Sequence, residues 1–253
     1  MPQWLFRAKA FAQYLVNSKK GTLAHSPFVF DLARYCIYKK QKGNYQKVNE
    51  LRKLLHSDSS LFDKEDFGTG KSRKEKVSSL ARSSSIRKKF GSLLSRLVAY
   101  LQPQHILEFG TCLGVSSAYL AINGNKLCTV EGCPNTQEIA KSNFKKLFKS
   151  DEINFVRTDF DNFIESDKGF YDFIFLDGNH AYAPTLKYFK HYWDKLPENG
   201  LIILDDIHWS EEMEKVWNEI SQNTSDLISI DLFQLGLCFK KSKQAKEHFI
   251  IRV

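Results

Sequence analysis

From Pro103 onward the sequence repeats one alternation: a short apolar run, then a stretch with helical spacing. The apolar runs fall at 105–109 (HILEF), 126–130 (KLCTV), 153–156 (INFV), 171–176 (YDFIFL) and 201–204 (LIIL). Helical patterns separate them at about 115–123, 134–148, 183–195 and 210–222. Strands without a polar face are buried on both sides, and strands that alternate with helices form a parallel sheet covered by those helices. The end of the chain breaks the alternation. Segments 226–232 and 235–240 are joined by too few residues for a crossover, so they pair as an antiparallel hairpin, and HFII at 248–251 reads as an added edge strand. The expected architecture is a doubly wound α/β sheet over residues 90–253, preceded by a helical extension over 1–89.

Composition removes other classes. The 253 residues suit one large domain or two small ones. With 42% hydrophobic and 26% charged residues the chain reads as an ordinary soluble globular protein. No run of 18 apolar residues is present, so no membrane span is expected. Five scattered cysteines without a CxxC pair argue against a zinc site and a disulfide framework, and fit a reducing cytoplasm. The net charge of +8 is local: residues 71–89 hold eight basic side chains against Glu75 alone. That segment either attracts a phosphate-bearing or acidic partner or is a solvated loop.

The first acidic residue is Asp31. Before it, Trp4, Leu5, Ala8, Phe11, Leu15 and Val16 fall at helical spacing, with Arg7, Lys9, Lys19 and Lys20 between them. This pattern fits a transit peptide, a membrane-surface helix, or a helix docked on its own domain or on a second subunit. Ser26-Pro27 reads as a helix start, running through about Lys39. Residues 57–86 are Ser-rich and charged, with Gly68 and Gly70, and read as a long mobile lid loop. Leu93, Leu94, Leu97, Val98 and Leu101 form one helical face, which Pro103 ends.

Ligands of doubly wound sheets sit at the carboxyl ends of the strands. The first strand runs into Glu108-Phe109-Gly110-Thr111-Cys112-Leu113-Gly114-Val115-Ser116 and a helix. Its glycines permit a tight turn and close approach of a ligand, and a structural turn accounts for them equally. The second strand ends in Glu131, an acid placed to accept hydrogen bonds from ribose hydroxyls or simply to face solvent. The third leads to Asp159, which suits an adenine amino group or a helix N-cap. The fourth ends in Asp177-Gly178-Asn179-His180 and the fifth in Asp205-Asp206-Ile207-His208-Trp209.

EFGTCLGVS, TVEGCP, FIFLDGNH and GLIILDDIHW together resemble a class I S-adenosylmethionine-dependent methyltransferase, of the O-methyltransferase branch that includes catechol and caffeoyl-coenzyme A enzymes. HSPFVFDLARY and EDFGTGK resemble an uncharacterised bacterial group within it. The resemblance implies a Rossmann-like seven-stranded sheet, mostly parallel, with an antiparallel C-terminal hairpin. It implies S-adenosylmethionine as cofactor, with Glu108, Gly110, Gly114, Ser116, Glu131, Asp159 and Asp177 around it, and S-adenosylhomocysteine as product. Metal-dependent members hold Mg²⁺ or another divalent cation at positions matching Asp177, Asp205 and Asp206, where paired aspartates also serve as helix caps. Those members commonly have asparagine as the third ligand, so Asp206 is a departure. Their catalytic lysine is replaced here by His180, with His208 the substitute base.

The expected activity is therefore methyl transfer to an oxygen of a small or medium-sized acceptor. The alternatives are an RNA methyltransferase tracking phosphates with 71–89, a cofactor-binding module without turnover, and a cluster-type hydroxylase. Segment 71–89 offers no aromatic for base stacking. A homodimer is the expected assembly, if any.

Overall fold

The computed structural model describes residues 2–39, 45–66, 71–148 and 153–253. Contacts divide the chain into two compact units, Lys40–Gly169 and the pair of segments Met1–Lys39 and Phe170–Val253. Among the described residues, ten α-helices (α1 to α10) and ten strands (β1 to β10) are numbered below in chain order.

The two-segment unit opens with α1 (Gln3–Asn17), a short 3-10 turn (Gly21–Leu23), α2 (Pro27–Leu32) and a π-type turn (Ala33–Ile37). In the continuous unit, α3 (Gln46–Ser57) buries Val48, Leu51 and Leu55 along one face. Strands β1 (Leu61–Asp66) and β2 (Lys71–Lys76) then pair antiparallel, and α4 (Val77–Ser84) follows. Segment 57–86, expected as a loop, is therefore largely a charged hairpin and a helix. The hairpin has no apolar alternation to reveal it. Charge complementarity runs across it instead: Asp63 stands opposite Lys74 and Glu75 takes Lys64 of the other strand at 3.9 Å, besides Arg73 of its own strand at 3.1 Å. Its tip, 67–70 with Gly68 and Gly70, lies outside the described residues.

Helix α5 (Lys88–Leu101) buries Leu93, Leu94, Leu97 and Val98 and ends at Gln102, in the left-handed region, before Pro103. Gly91 lets it approach the next helix closely, because a Cβ there would lie 2.2 Å from the Tyr119 ring. Then come β3 (His105–Phe109), α6 (Val115–Leu120), β4 (Lys126–Glu131), α7 (Pro134–Leu147), β5 (Ile153–Arg157) and α8 (Phe160–Ser166). Strands β3, β4 and β5 are parallel neighbours in that order, so their carboxyl ends lie side by side.

The second segment of the other unit supplies β6 (Phe173–Leu176), α9 (Tyr182–Trp193), β7 (Leu201–Asp205), α10 (Glu211–Asn223), β8 (Leu227–Asp231), β9 (Leu235–Lys240) and β10 (Glu247–Ile250). The order is β10-β8-β9-β7-β6. β6 and β7 are parallel, the β8–β9 hairpin is antiparallel as expected, and β10 lies parallel to β8. Counting both units, eight strands of this sheet class are present rather than seven. The addition is β10.

Helix α1 docks on its own unit through Phe6, Ala10 and Tyr14. Tyr14 donates its hydroxyl proton to the Ile251 carbonyl, the Lys19 N–H donates to the Ile250 carbonyl at 3.0 Å, and the Arg252 N–H donates to the Lys19 carbonyl at 3.0 Å. Among the described residues no helix is long and apolar enough to cross a membrane.

Candidate active site

In the continuous unit the glycine loop leaves β3 through three left-handed residues, Gly110 (φ 95°), Cys112 (φ 47°) and Gly114 (φ 81°). Gly114 cannot be replaced cheaply: a Cβ would lie 2.8 Å from the Phe144 ring, on a backbone that side chains rarely adopt. The loop is pinned by Glu131. One carboxylate oxygen accepts from the Cys112 N–H at 2.8 Å, and the other from the Cys133 N–H at 2.9 Å. Burial pushes the Glu131 carboxyl above its ordinary value, and these two N–H groups oppose that shift. Each oxygen keeps a second lone pair. The residue expected to meet the ribose thus also fixes the shape of the loop.

Glu108 is fully buried. Its Oε2 accepts from the Thr129 hydroxyl at 2.7 Å and from the Ser117 hydroxyl, while its Oε1 is buried with no partner among the described residues. Burial raises its pKa against the pull of the neighbouring hydroxyls. Ser116, expected at the cofactor's carboxylate, is buried in the first turn of α6. Asp159 caps α8: its carboxylate accepts from the Asn162 N–H at 2.8 Å, which holds its pKa below the ordinary value. Of the two readings of Asp159, the cap is the one visible in this structure.

In the two-segment unit, β6 and β7 end in register, so Asp177 and Asp205 emerge together. Asp205 is buried and accepts from Gln234 Nε2 at 3.3 Å. Burial, then the charge of Asp206, pushes its carboxyl up to about 7. His180 Nε2 lies 3.6 Å from Asp177 Oδ1. Burial holds its pKa below the ordinary value, against the opposite pull of Asp206. The imidazole is therefore neutral at neutral pH and able to take a proton.

His208 is placed differently. Its Nε2 is 2.8 Å from Asp231 and its Nδ1 3.2 Å from Glu214, and its ring stacks on Phe233 at 5.2 Å. Burial alone would lower its pKa, but the hydrogen bond to Asp231 and the charges of Asp231 and Glu214 outweigh burial and raise it. Both ring nitrogens are engaged, which leaves the imidazole no free lone pair for catalysis.

The expected cation set of Asp177, Asp205 and Asp206 is not assembled. No group of three or more His, Cys, Asp or Glu among the described residues is arranged to hold a metal ion. Burial and the charge of Asp206 favour the protonated form of Asp205, whereas a cation needs ionised oxygens converging on one point.

The reading of strand ends missed Asp231 and Gln234. Asp231 closes β8 as LISID, the same signature that singled out the other acids.

Residues 107–207 match a family model described as "Methyltransferase domain". A protein-L-isoaspartate O-methyltransferase from Shewanella piezotolerans is 27% identical over 142 residues, covering 55% of this chain and 63% of the relative, so the chain spans less than two thirds of that protein. The S-adenosylhomocysteine-bound methyltransferase PaMTH1 of Podospora anserina is similar in fold, with a TM-score of 0.63 at 17% identity over 86% of this chain and 97% of that one. An O-methyltransferase of Bacillus cereus, also in complex with S-adenosylhomocysteine, gives a TM-score of 0.60 at 16% identity over 80% and 94%. Residues 107–207 are thus similar to a methyltransferase domain, and the fold is the one these solved methyltransferases share.

Proposed function

We propose that the protein moves the methyl group of S-adenosylmethionine to a hydroxyl oxygen of a small or medium-sized acceptor, with His180 as the general base. The observation that carries this reading is the neutral, half-buried imidazole of His180 beside Asp177, just beyond the end of β6. In the continuous unit, the Gly110–Gly114 loop and Glu131 are the residues suited to the cofactor. In the other, His180 takes the proton of the acceptor hydroxyl as the new O–C bond forms and the C–S bond of the sulfonium breaks. The products are the methyl ether and S-adenosylhomocysteine. The carboxylates of Asp177 and Asp206 stabilise the imidazolium.

The Shewanella relative supports a second reading, a carboxylate oxygen as acceptor. A carboxylate is already ionised at neutral pH and needs no base. One experiment separates the two. The enzyme is incubated with methyl-labelled cofactor and fractionated extract, and the labelled product is treated with alkali. An alkali-stable ether, lost in His180→Gln, supports the hydroxyl reading. An alkali-labile ester, formed equally by His180→Gln, replaces it with the carboxylate reading.

A further inference from the structure

Helix α1 is apolar on two opposite sides. Phe6, Ala10 and Tyr14 face its own unit. On the far side, Trp4, Ala8, Phe11 and Leu15 follow one line along the helix, and Leu5 and Val16 follow the adjacent line. These residues are left in solvent: Trp4 is 72% exposed, Val16 83%, Phe11 45% and Leu5 43%. Trp209 is exposed beside them, with the Arg7 guanidinium 4.3 Å above its ring and its carbonyl accepting from Gln3 Nε2 at 3.3 Å. The helix is thus held on its inner side, where Phe11 at the edge of the stripe also packs on Phe233 at 4.9 Å, and presents an exposed apolar stripe about 22 Å long on its outer side.

The charge around the stripe selects its partner. Lys9, Lys19 and Lys20 are exposed, and no acid precedes Asp31. A second copy of the same helix fits poorly. In a symmetric antiparallel pair each Lys9, near the helix midpoint, meets the other Lys9 close to the axis. An anionic bilayer surface fits both properties at once: aromatic and aliphatic side chains enter the boundary of the acyl chains, and the lysines reach the headgroup phosphates.

We propose that α1 binds the protein peripherally to membranes containing anionic lipids, lying in the plane of the surface with Trp4, Leu5, Leu15 and Val16 inserted. This is independent of the methyl acceptor.

The test is co-sedimentation of the full chain with vesicles of phosphatidylcholine, with and without phosphatidylglycerol. The wild type is expected to pellet with the mixed vesicles and stay largely in solution with phosphatidylcholine alone. Trp4→Ser/Val16→Ser should weaken partitioning at least tenfold. Lys9→Gln and Lys19→Gln should each weaken it about fivefold, only on the anionic vesicles. These side chains are exposed, so circular dichroism and thermal melting should match the wild type. A wild type that stays in the supernatant with mixed vesicles overturns the proposal, as does undiminished binding by Trp4→Ser/Val16→Ser. A wild-type dimer in sedimentation velocity that this double variant converts to monomer assigns the stripe to a second copy instead.

Discussion

Asp177 and Asp205 stand side by side at the aligned ends of parallel strands β6 and β7, and burial with the charge of Asp206 pushes the Asp205 carboxyl up to about 7. This makes the strand end a titrating element near neutral pH rather than a fixed pair of charges. His180, next to Asp177, is held below its ordinary pKa by burial, against the pull of Asp206.

The raised Asp205 carboxyl has a measurable consequence for stability. The folded Asp205 carboxyl titrates at about 7, against an ordinary value of 3.8. Between those values the folded state binds more protons than the unfolded one, so stability is full at low pH and declines as pH rises toward neutrality. Urea unfolding of the wild type should show a loss on the order of 2 kcal/mol between about pH 5 and about pH 8 that Asp205→Asn lacks. Parallel profiles for the two proteins would show that no proton is held there.

His180→Gln should reduce methyl transfer to a hydroxyl acceptor by about 10²–10⁴-fold. The wild-type rate should hold at pH values where an ordinary histidine would already be protonated, because burial lowers the imidazole pKa. The acid limb of the rate profile is thus expected below about pH 6.5. A limb above that value would assign the base to another group.

Glu131→Gln replaces one acceptor oxygen by an NH₂ group that faces the Cys112 or Cys133 N–H, donor against donor. Calorimetry with S-adenosylhomocysteine should show binding weakened by about 1–3 kcal/mol. Thermal melting, read in parallel, separates a loosened loop from a collapsed unit. Unchanged affinity would mean that the loop keeps its shape without this pin.

His208→Ala should destabilise the fold by about 3 kcal/mol, because it removes one partner of a buried charge pair and strands Asp231. The sign of the pH effect is opposite to that of a depressed carboxyl. A histidine raised by its partners contributes fully below its unfolded value of about 6.5, and the contribution fades as pH rises through the folded value. The gap between wild type and variant in denaturant titrations should therefore be widest in mild acid. If activity fell without any loss of stability, His208 would have a chemical role after all.

The sheet was legible because its strands are apolar at nearly every position, as in FIFL and LIIL, and the hairpin was legible because 226–232 and 235–240 are too close to cross over. The β1–β2 hairpin was not, since LFDKED and KSRKEK carry their pairing information in charge rather than in hydrophobic period. The strand-end acids were found by position alone, and position says nothing of rotamer. Glu108 and Asp159 turn to Thr129 and Asn162. Of three aspartates that look like a ligand set in one dimension, Asp205 is buried with its carboxyl pushed up to about 7 by burial and by the charge of Asp206.

The fastening of Tyr14 and Lys19 to Ile250, Ile251 and Arg252 has a consequence for synthesis on the ribosome. The unit formed by 40–169 is continuous and has all its parts as soon as Gly169 emerges. Helix α1 emerges earlier, yet its docking strand is among the last segments made. At about 5–20 residues per second it waits on the order of ten seconds or more with both apolar sides exposed. During that interval a nascent chain has to shield this helix with whatever apolar surface is nearest.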